Sequence, residues 1–109
     1  MDKPSVFLQE MGNRISAVRK SRGLTQEQAA EAANVSVGVI STAERGTKAL
    51  RPENIVKISA ALGVSCDYLL RGIVTDRELV DLLRRLNELD ETQKNVLYNV
   101  LTAGIDSLK

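Results

Sequence analysis

Val37, Gly38, Ser41, Thr42 and Arg45 recur at i, i+1, i+4, i+5 and i+8, the spacing of one face of a helix. Ile40 and Ala43 fall on the opposite side. The Ser41 and Thr42 hydroxyls can each donate or accept a hydrogen bond, and the Thr42 methyl can make apolar contact. These are groups for recognition rather than for covalent chemistry. The surrounding stretch, residues 23–46, reads as two short helices joined by a three-residue turn, Asn34-Val35-Ser36. Two helices this short cannot bury an apolar face alone, and the usual use of such a unit is to lay its second helix in the major groove of DNA.

Composition removes most alternatives. The 109-residue chain has no His, which excludes imidazole bases, Ser–His nucleophile pairs and His metal ligands. A single Cys66 cannot form an internal disulfide or a multi-Cys zinc site. Carboxylates and lysines show no pair at a suggestive spacing, so neither an enzyme nor a bound metal or cofactor is expected. No run of about 18 apolar residues marks a membrane span. Met1-Asp2-Lys3-Pro4 has no apolar signal region, so a cytoplasmic protein is the expectation. Charge is uneven. Residues 1–72 carry ten Lys and Arg against seven Asp and Glu, whereas residues 73–109 carry five against seven. The basic part holds the two-helix pattern.

The elements that must position that face are marked by caps. Gly23, Gly46, Gly63 and Gly72 each follow an apolar-periodic segment, where a helix would end. The pattern predicts a first helix from about Phe7 to Arg22, with Leu8, Met11, Ile15 and Val18 inward. Thr25 with Gln28 forms a capping box for a second helix ending near Ala33. Asn34 suits the left-handed position after it, and Ser36 caps a third helix that runs to Arg45. Val35 can plug the turn into the core, and Ala30 is small where the helices cross. A fourth helix opens at Pro52 and turns Ile55, Ile58, Ala61 and Leu62 inward; a fifth, capped by Ser65, buries Tyr68, Leu69 and Leu70. Thr75 with Glu78 and Asp90 with Gln93 open a sixth and a seventh.

Further matches run in order along the chain: Arg-x-x-x-Gly-Leu-Thr-Gln at 19–26, Val35-Ser36, Ile40-Ser41, Glu44-Arg45-Gly46, and Leu62-Gly63-Val64-Ser65-x-Asp67-Tyr68-Leu69-Leu70. Over about residues 9–72 this resembles the phage Cro/repressor-type helix-turn-helix, the XRE family of transcriptional regulators. The resemblance implies an all-α fold: a five-helix lambda-repressor-like DNA-binding domain over 1–72, followed by a two-helix C-terminal hairpin over 73–109. It implies that Gln26 bonds a phosphate of double-stranded DNA, helped by its helix N-terminus. By the same resemblance Arg45 and Lys48 hold the backbone, with Arg51 weaker, and Ser36 belongs to the DNA-contacting set. Val37, Gly38, Ser41 and Thr42 occupy the base-reading positions, although Val37 and Gly38 have no hydrogen-bonding side chain. Arg19 and Glu44 match a structural salt bridge. Arg14, Lys20 and Arg22 read as solvated charges.

In the C-terminal hairpin, Leu79, Leu82, Leu83, Leu86 and Leu89 form one stripe. Val96, Leu97, Val100, Leu101, Ile105 and Leu108 form another. Such a hairpin has more apolar surface than it can hide internally, and two copies would make a four-helix dimer interface. The expected function is a repressor that binds a palindromic operator as a homodimer. Two rivals are an antitoxin-like DNA-binding protein that neutralises a partner through residues 73–109, and a protein-interaction module without DNA binding. An antirepressor or a toxin is a further candidate protein partner. Cys66 reads as a small, half-buried residue rather than a redox switch. Gly104 reads equally as a close-approach site or an untuned position.

Overall fold

The computed structural model describes residues 5–108; Met1–Pro4, which has no apolar signal region in sequence, and Lys109 lie outside the described residues. All regular structure among the described residues is helical. In order, the elements are α1 (Val6–Ser21), α2 (Gln26–Ala33), α3 (Val37–Arg45), α4 (Pro52–Leu62), α5 (Cys66–Arg71), α6 (Asp76–Arg84), a 3-10 turn (Arg85–Glu88) and α7 (Glu91–Ser107). They divide into two compact units, one ending at Ile73 and one beginning at Val74.

Local chemistry sets the ends of these helices. The side chains of Ser5, Thr25, Ser36 and Ser65 accept hydrogen bonds from the backbone N–H three residues on, satisfying donors that the first turn leaves unpaired. Thr25 and Gln28 close a reciprocal capping box. Pro52 occupies the first turn of α4, where its missing N–H costs nothing. Asn34 ends α2 in the left-handed conformation, φ 56°, which an Asn tolerates better than most residues.

The first unit has one apolar core. Met11, Ile15 and Val18 from α1 meet Ile40 and Ala43 from α3, while Ala29, Ala30 and Ala33 of α2 pack between α3 and α4. Ile58 and Leu62 of α4 and Leu69 of α5 complete it, and Val35 packs against it from the turn. Ile55 and Ala61 are half-buried rather than enclosed, as are Tyr68 and Leu70. The three buried alanines of α2 let two helices approach it closely at little side-chain entropy cost.

Arg14 sits differently from the expectation of a solvated charge, being half-buried, whereas Arg22 is exposed as expected but also bonds a carbonyl. Arg14 donates from Nε to the Leu69 carbonyl at 2.9 Å and from Nη2 to the Leu70 carbonyl at 3.1 Å. Arg22 donates from Nε to the Leu62 carbonyl at 3.2 Å. These carbonyls end α5 and α4, where no intrahelical donor remains, so the guanidinium groups tie helix ends to α1.

In the second unit, capping boxes form at Thr75–Glu78 and at Asp90–Gln93. The helix α6 gives way to the 3-10 turn at Arg85, so Leu86 lies beyond it. No described residue from Val74 onward is buried. Leu79, Leu82 and Leu83 stay about half-exposed, and so do Val96, Val100, Leu101 and Ile105; Leu108 is more exposed still, and Leu86 and Leu97 are half-buried. Within this unit neither stripe covers the other. Nothing in the fold lies within 4 Å of a Cβ placed on Gly104, so no close approach there explains the glycine.

Candidate nucleic-acid interface

The second helix of the pair, α3, is divided lengthwise by its packing. Ile40 and Ala43 are each 1% exposed, whereas Val37 is 43% exposed. Gly38 and Arg45 are exposed with Val37, and Ser41 and Thr42 are half-buried beside them. The outward face is therefore continuous from the N-cap to the C-terminal turn. Ser36 begins it, its Oγ accepting from the Val39 N–H at 3.3 Å; its hydroxyl proton stays available to a partner.

Glycine at 38 has no internal reason. A Cβ built there would meet only Ser36 Oγ, at 3.8 Å. Glycine within a helix costs about 1 kcal/mol relative to alanine, and no contact inside the protein offsets that cost at Gly38. Gly12 is the opposite case. A Cβ there would lie 2.7 Å from the Glu44 carbonyl oxygen and closer still to that of Ala43. That glycine lets α1 press on the C-terminal turn of α3 and holds the helix in place. A glycine inside a helical segment was the available sign of such an approach.

The C-terminal end of the face is anchored by an ion pair. Arg19 Nε and Nη2 donate to Glu44 Oε2 at 2.6 Å and Oε1 at 3.0 Å, and Arg19 Nη1 donates to the Leu24 carbonyl at 2.7 Å. Both side chains are nearly enclosed, 11% and 8% exposed. Burial pushes the Glu44 carboxyl up, but the hydrogen bonds from Arg19 and Gln26 and the charge of Arg19 outweigh it and hold the carboxyl below its ordinary value. The hydrogen bond to Glu44 raises Arg19 above its own. Gln26, at the first position of α2, donates from Nε2 to Glu44 Oε1 at 3.2 Å. One N–H of that amide remains for a second acceptor.

Arg45 turns back along its own helix. Its Nη1 donates to Ser41 Oγ at 2.6 Å, and Nη2 lies 3.5 Å from Thr42 Oγ1. Thus Gln26 is brought to the end of α3 through Glu44, and Ser41, Thr42 and Arg45 form one hydrogen-bonded group. Lys48 and Arg51 are exposed beyond Gly46, outside that group; Arg51 stands at the N-cap of α4 without a side-chain cap bond. Among the described residues no cluster of His, Cys, Asp or Glu could hold a metal ion.

Residues 15–69, from the middle of α1 to α5, match the family described as HTH_3, helix-turn-helix. The chain belongs to this family. It is an XRE-type helix-turn-helix DNA-binding transcriptional regulator of the repressor kind. This XRE chain is 33% identical over 90 residues to the cryptic phage CTXphi transcriptional repressor RstR of Vibrio cholerae, covering 81% of the chain and 80% of that protein. It is 32% identical over 87 residues to the HTH-type transcriptional regulator ImmR of Bacillus subtilis, covering 78% and 68%. The P22 c2 repressor, solved in complex with a synthetic operator, superposes with a TM-score of 0.57 at 40% identity over 60% of the chain and 98% of that structure. The lambda-repressor-like arrangement of α1–α5 is thus shared with a repressor whose DNA complex is known. The HTH_3 match ends at Leu69, before the second unit begins. No described helix is long and apolar enough to cross a membrane.

Proposed function

We infer that the chain represses transcription by occupying a palindromic operator as a homodimer, with α3 of each protomer in the major groove. The observation that carries this reading is the division of α3: one side is sealed into the core by Ile40 and Ala43, and the other presents Val37, Gly38, Ser41 and Thr42 in a row. Gln26, Ser36 and Lys48 hold phosphates around it. The nearly enclosed Arg19–Glu44 pair fixes Gln26 by a hydrogen bond, so its free N–H is aimed before DNA arrives. The P22 c2 repressor, 40% identical over the aligned part, was solved in complex with a synthetic operator, which supports operator binding by this chain.

The homodimer reading rests on the second unit. Its two apolar stripes lack a buried residue of their own, and a second copy would supply a matching set for a four-helix interface. A two-fold dimer sets its recognition helices about 34 Å apart, on half-sites one DNA turn from each other. A protein of this kind works where the DNA is, in the cytoplasm, and blocks polymerase by position alone.

Selection of bound sequences from a random duplex pool, paired with sedimentation at micromolar concentration, tests both parts. The expected result is an inverted repeat with half-sites about 10 base pairs apart and a dimer. A single unrepeated site with a clean monomer removes the homodimer. Failure to retain any DNA at low salt removes the repressor reading and leaves a protein-interaction module.

A further inference from the structure

The outward face of α3 is poor in side chains that can read a base. Val37 has no donor or acceptor, Gly38 has no side chain, and Ser41 and Thr42 bring one hydroxyl each. Every one of these groups is short. The one long, multiply donating group on the face is the guanidinium of Arg45, and it does not extend away from the helix toward the flanking surface. It folds toward the N-terminus, as helical side chains prefer, and rests on the two hydroxyls, at 2.6 Å from Ser41 Oγ and 3.5 Å from Thr42 Oγ1.

We propose that Arg45 is the principal base-reading residue of this protein, that it recognises a guanine in the major groove, and that Ser41 and Thr42 position it. This rests on the DNA-binding reading above and departs from the phosphate role that family resemblance implies for Arg45. Donors and space both favour this role. A guanidinium has five N–H donors. The two hydroxyls engage two of them, and three remain for a ligand. Held from one side, the planar group loses rotational freedom before binding, so less is lost when it bonds a base. The pair of acceptors that suits a planar donor fork is O6 and N7 of guanine. Space comes from Gly38, seven residues before Arg45 on the same face, where nothing in the protein requires a glycine. Its bare backbone removes the obstacle that a longer side chain would set between the helix and the groove floor.

The experiment uses the full chain, the operator selected from a random pool, and that operator with 7-deazaguanine, which lacks the N7 acceptor, at each guanine in turn. The wild type is expected to enrich one guanine per half-site, and 7-deazaguanine there to weaken binding about ten-fold, within the range of one bidentate contact. Arg45→Ala is expected to lose preference for that guanine and to bind both operators equally. Ser41→Ala is expected to lower discrimination at the same guanine, with other positions unchanged; a merely structural loss would weaken all sequences alike. The proposal is overturned if Arg45→Ala weakens every sequence equally, keeps the guanine preference and shallows the log–log salt slope by about 0.9, the signature of one lost phosphate contact. In that outcome DNA binding stands. If the wild type retains no DNA, the repressor reading itself fails, and this inference with it.

Discussion

Gly12 in α1 faces the backbone of Glu44 in α3 so closely that a Cβ on Gly12 would sit 2.7 Å from the Glu44 carbonyl oxygen. Two rigid helix backbones meet there, so neither can yield as a flexible side chain would. The same Glu44 accepts from Arg19 and Gln26 through its carboxylate. Placement of α3 thus depends on a backbone contact and an ion pair at one residue.

Gly12→Ala is expected to lower stability by about 2 kcal/mol, the cost of forcing a methyl into a packed contact. The sign is informative. In an open helix the same change would stabilise by about 1 kcal/mol. Urea unfolding measures it: the midpoint falls while the slope stays constant.

Glu44→Gln breaks a nearly enclosed ion pair and is expected to cost about 3 kcal/mol at neutral pH. Acid should expose the same linkage. The folded-state carboxyl lies below its ordinary value, so its contribution is complete above the ordinary carboxylate range and is lost as pH falls through the folded value. Denaturant titrations from about pH 6 to about pH 3 should show a shallower loss in Glu44→Gln than in wild type. Parallel curves would remove Glu44 from the acid response.

Arg14→Met keeps the apolar stem and removes the donors to the Leu69 and Leu70 carbonyls. The expected loss is about 2 kcal/mol, appropriate to hydrogen bonds from a charged group. Hydrogen exchange should show faster opening of α5 than of α2, because only α5 loses its tie to α1.

Gln26→Ala and Thr42→Ala should separate affinity from specificity. Loss of Gln26 should weaken all operators by a similar factor, since phosphates carry no sequence. Loss of Thr42 should change relative affinities among operators. Binding titrations against a small panel of duplexes read both, and equal loss across the panel for both variants would contradict the division of roles.

Leu82→Lys with Val100→Lys places charge in the two stripes of the second unit, at positions that are 55% and 62% exposed. The expected product is a folded monomer, with the helical signal preserved and sedimentation shifted to half the mass. Operator affinity should fall steeply, because one half-site must then suffice. An unchanged dimer would place the interface elsewhere.

The helix boundaries were legible because their causes lie within three or four residues. Thr25 with Gln28, Thr75 with Glu78 and Asp90 with Gln93 each close a capping box across three positions, and Asn34, Gly46, Gly63 and Gly72 adopt the left-handed backbone that ends a helix. The division of α3 was legible for the same reason, since 3.6-residue periodicity sorts Ile40 and Ala43 from Ser41 and Thr42. The pairing of Arg19 with Glu44 was legible from the family pattern, not from spacing, for 25 positions separate them.

By itself, then, the sequence determined the seven helices, the start signals of all but the first, most of their apolar faces and the outward row on α3. Each follows from hydrogen bonds and side-chain directions within a turn or two. Only the tertiary structure decided that Arg14 and Arg22 bond the carbonyls that end α5 and α4, that Gly12 is a packing contact, that Gly38 is not, and that Arg45 lies on Ser41. Those facts depend on which backbone groups from distant segments arrive unpaired or in van der Waals reach. No local pattern records this, because a free carbonyl at the end of α5 attracts any guanidinium the packed core brings within 3 Å, whatever its place in the chain.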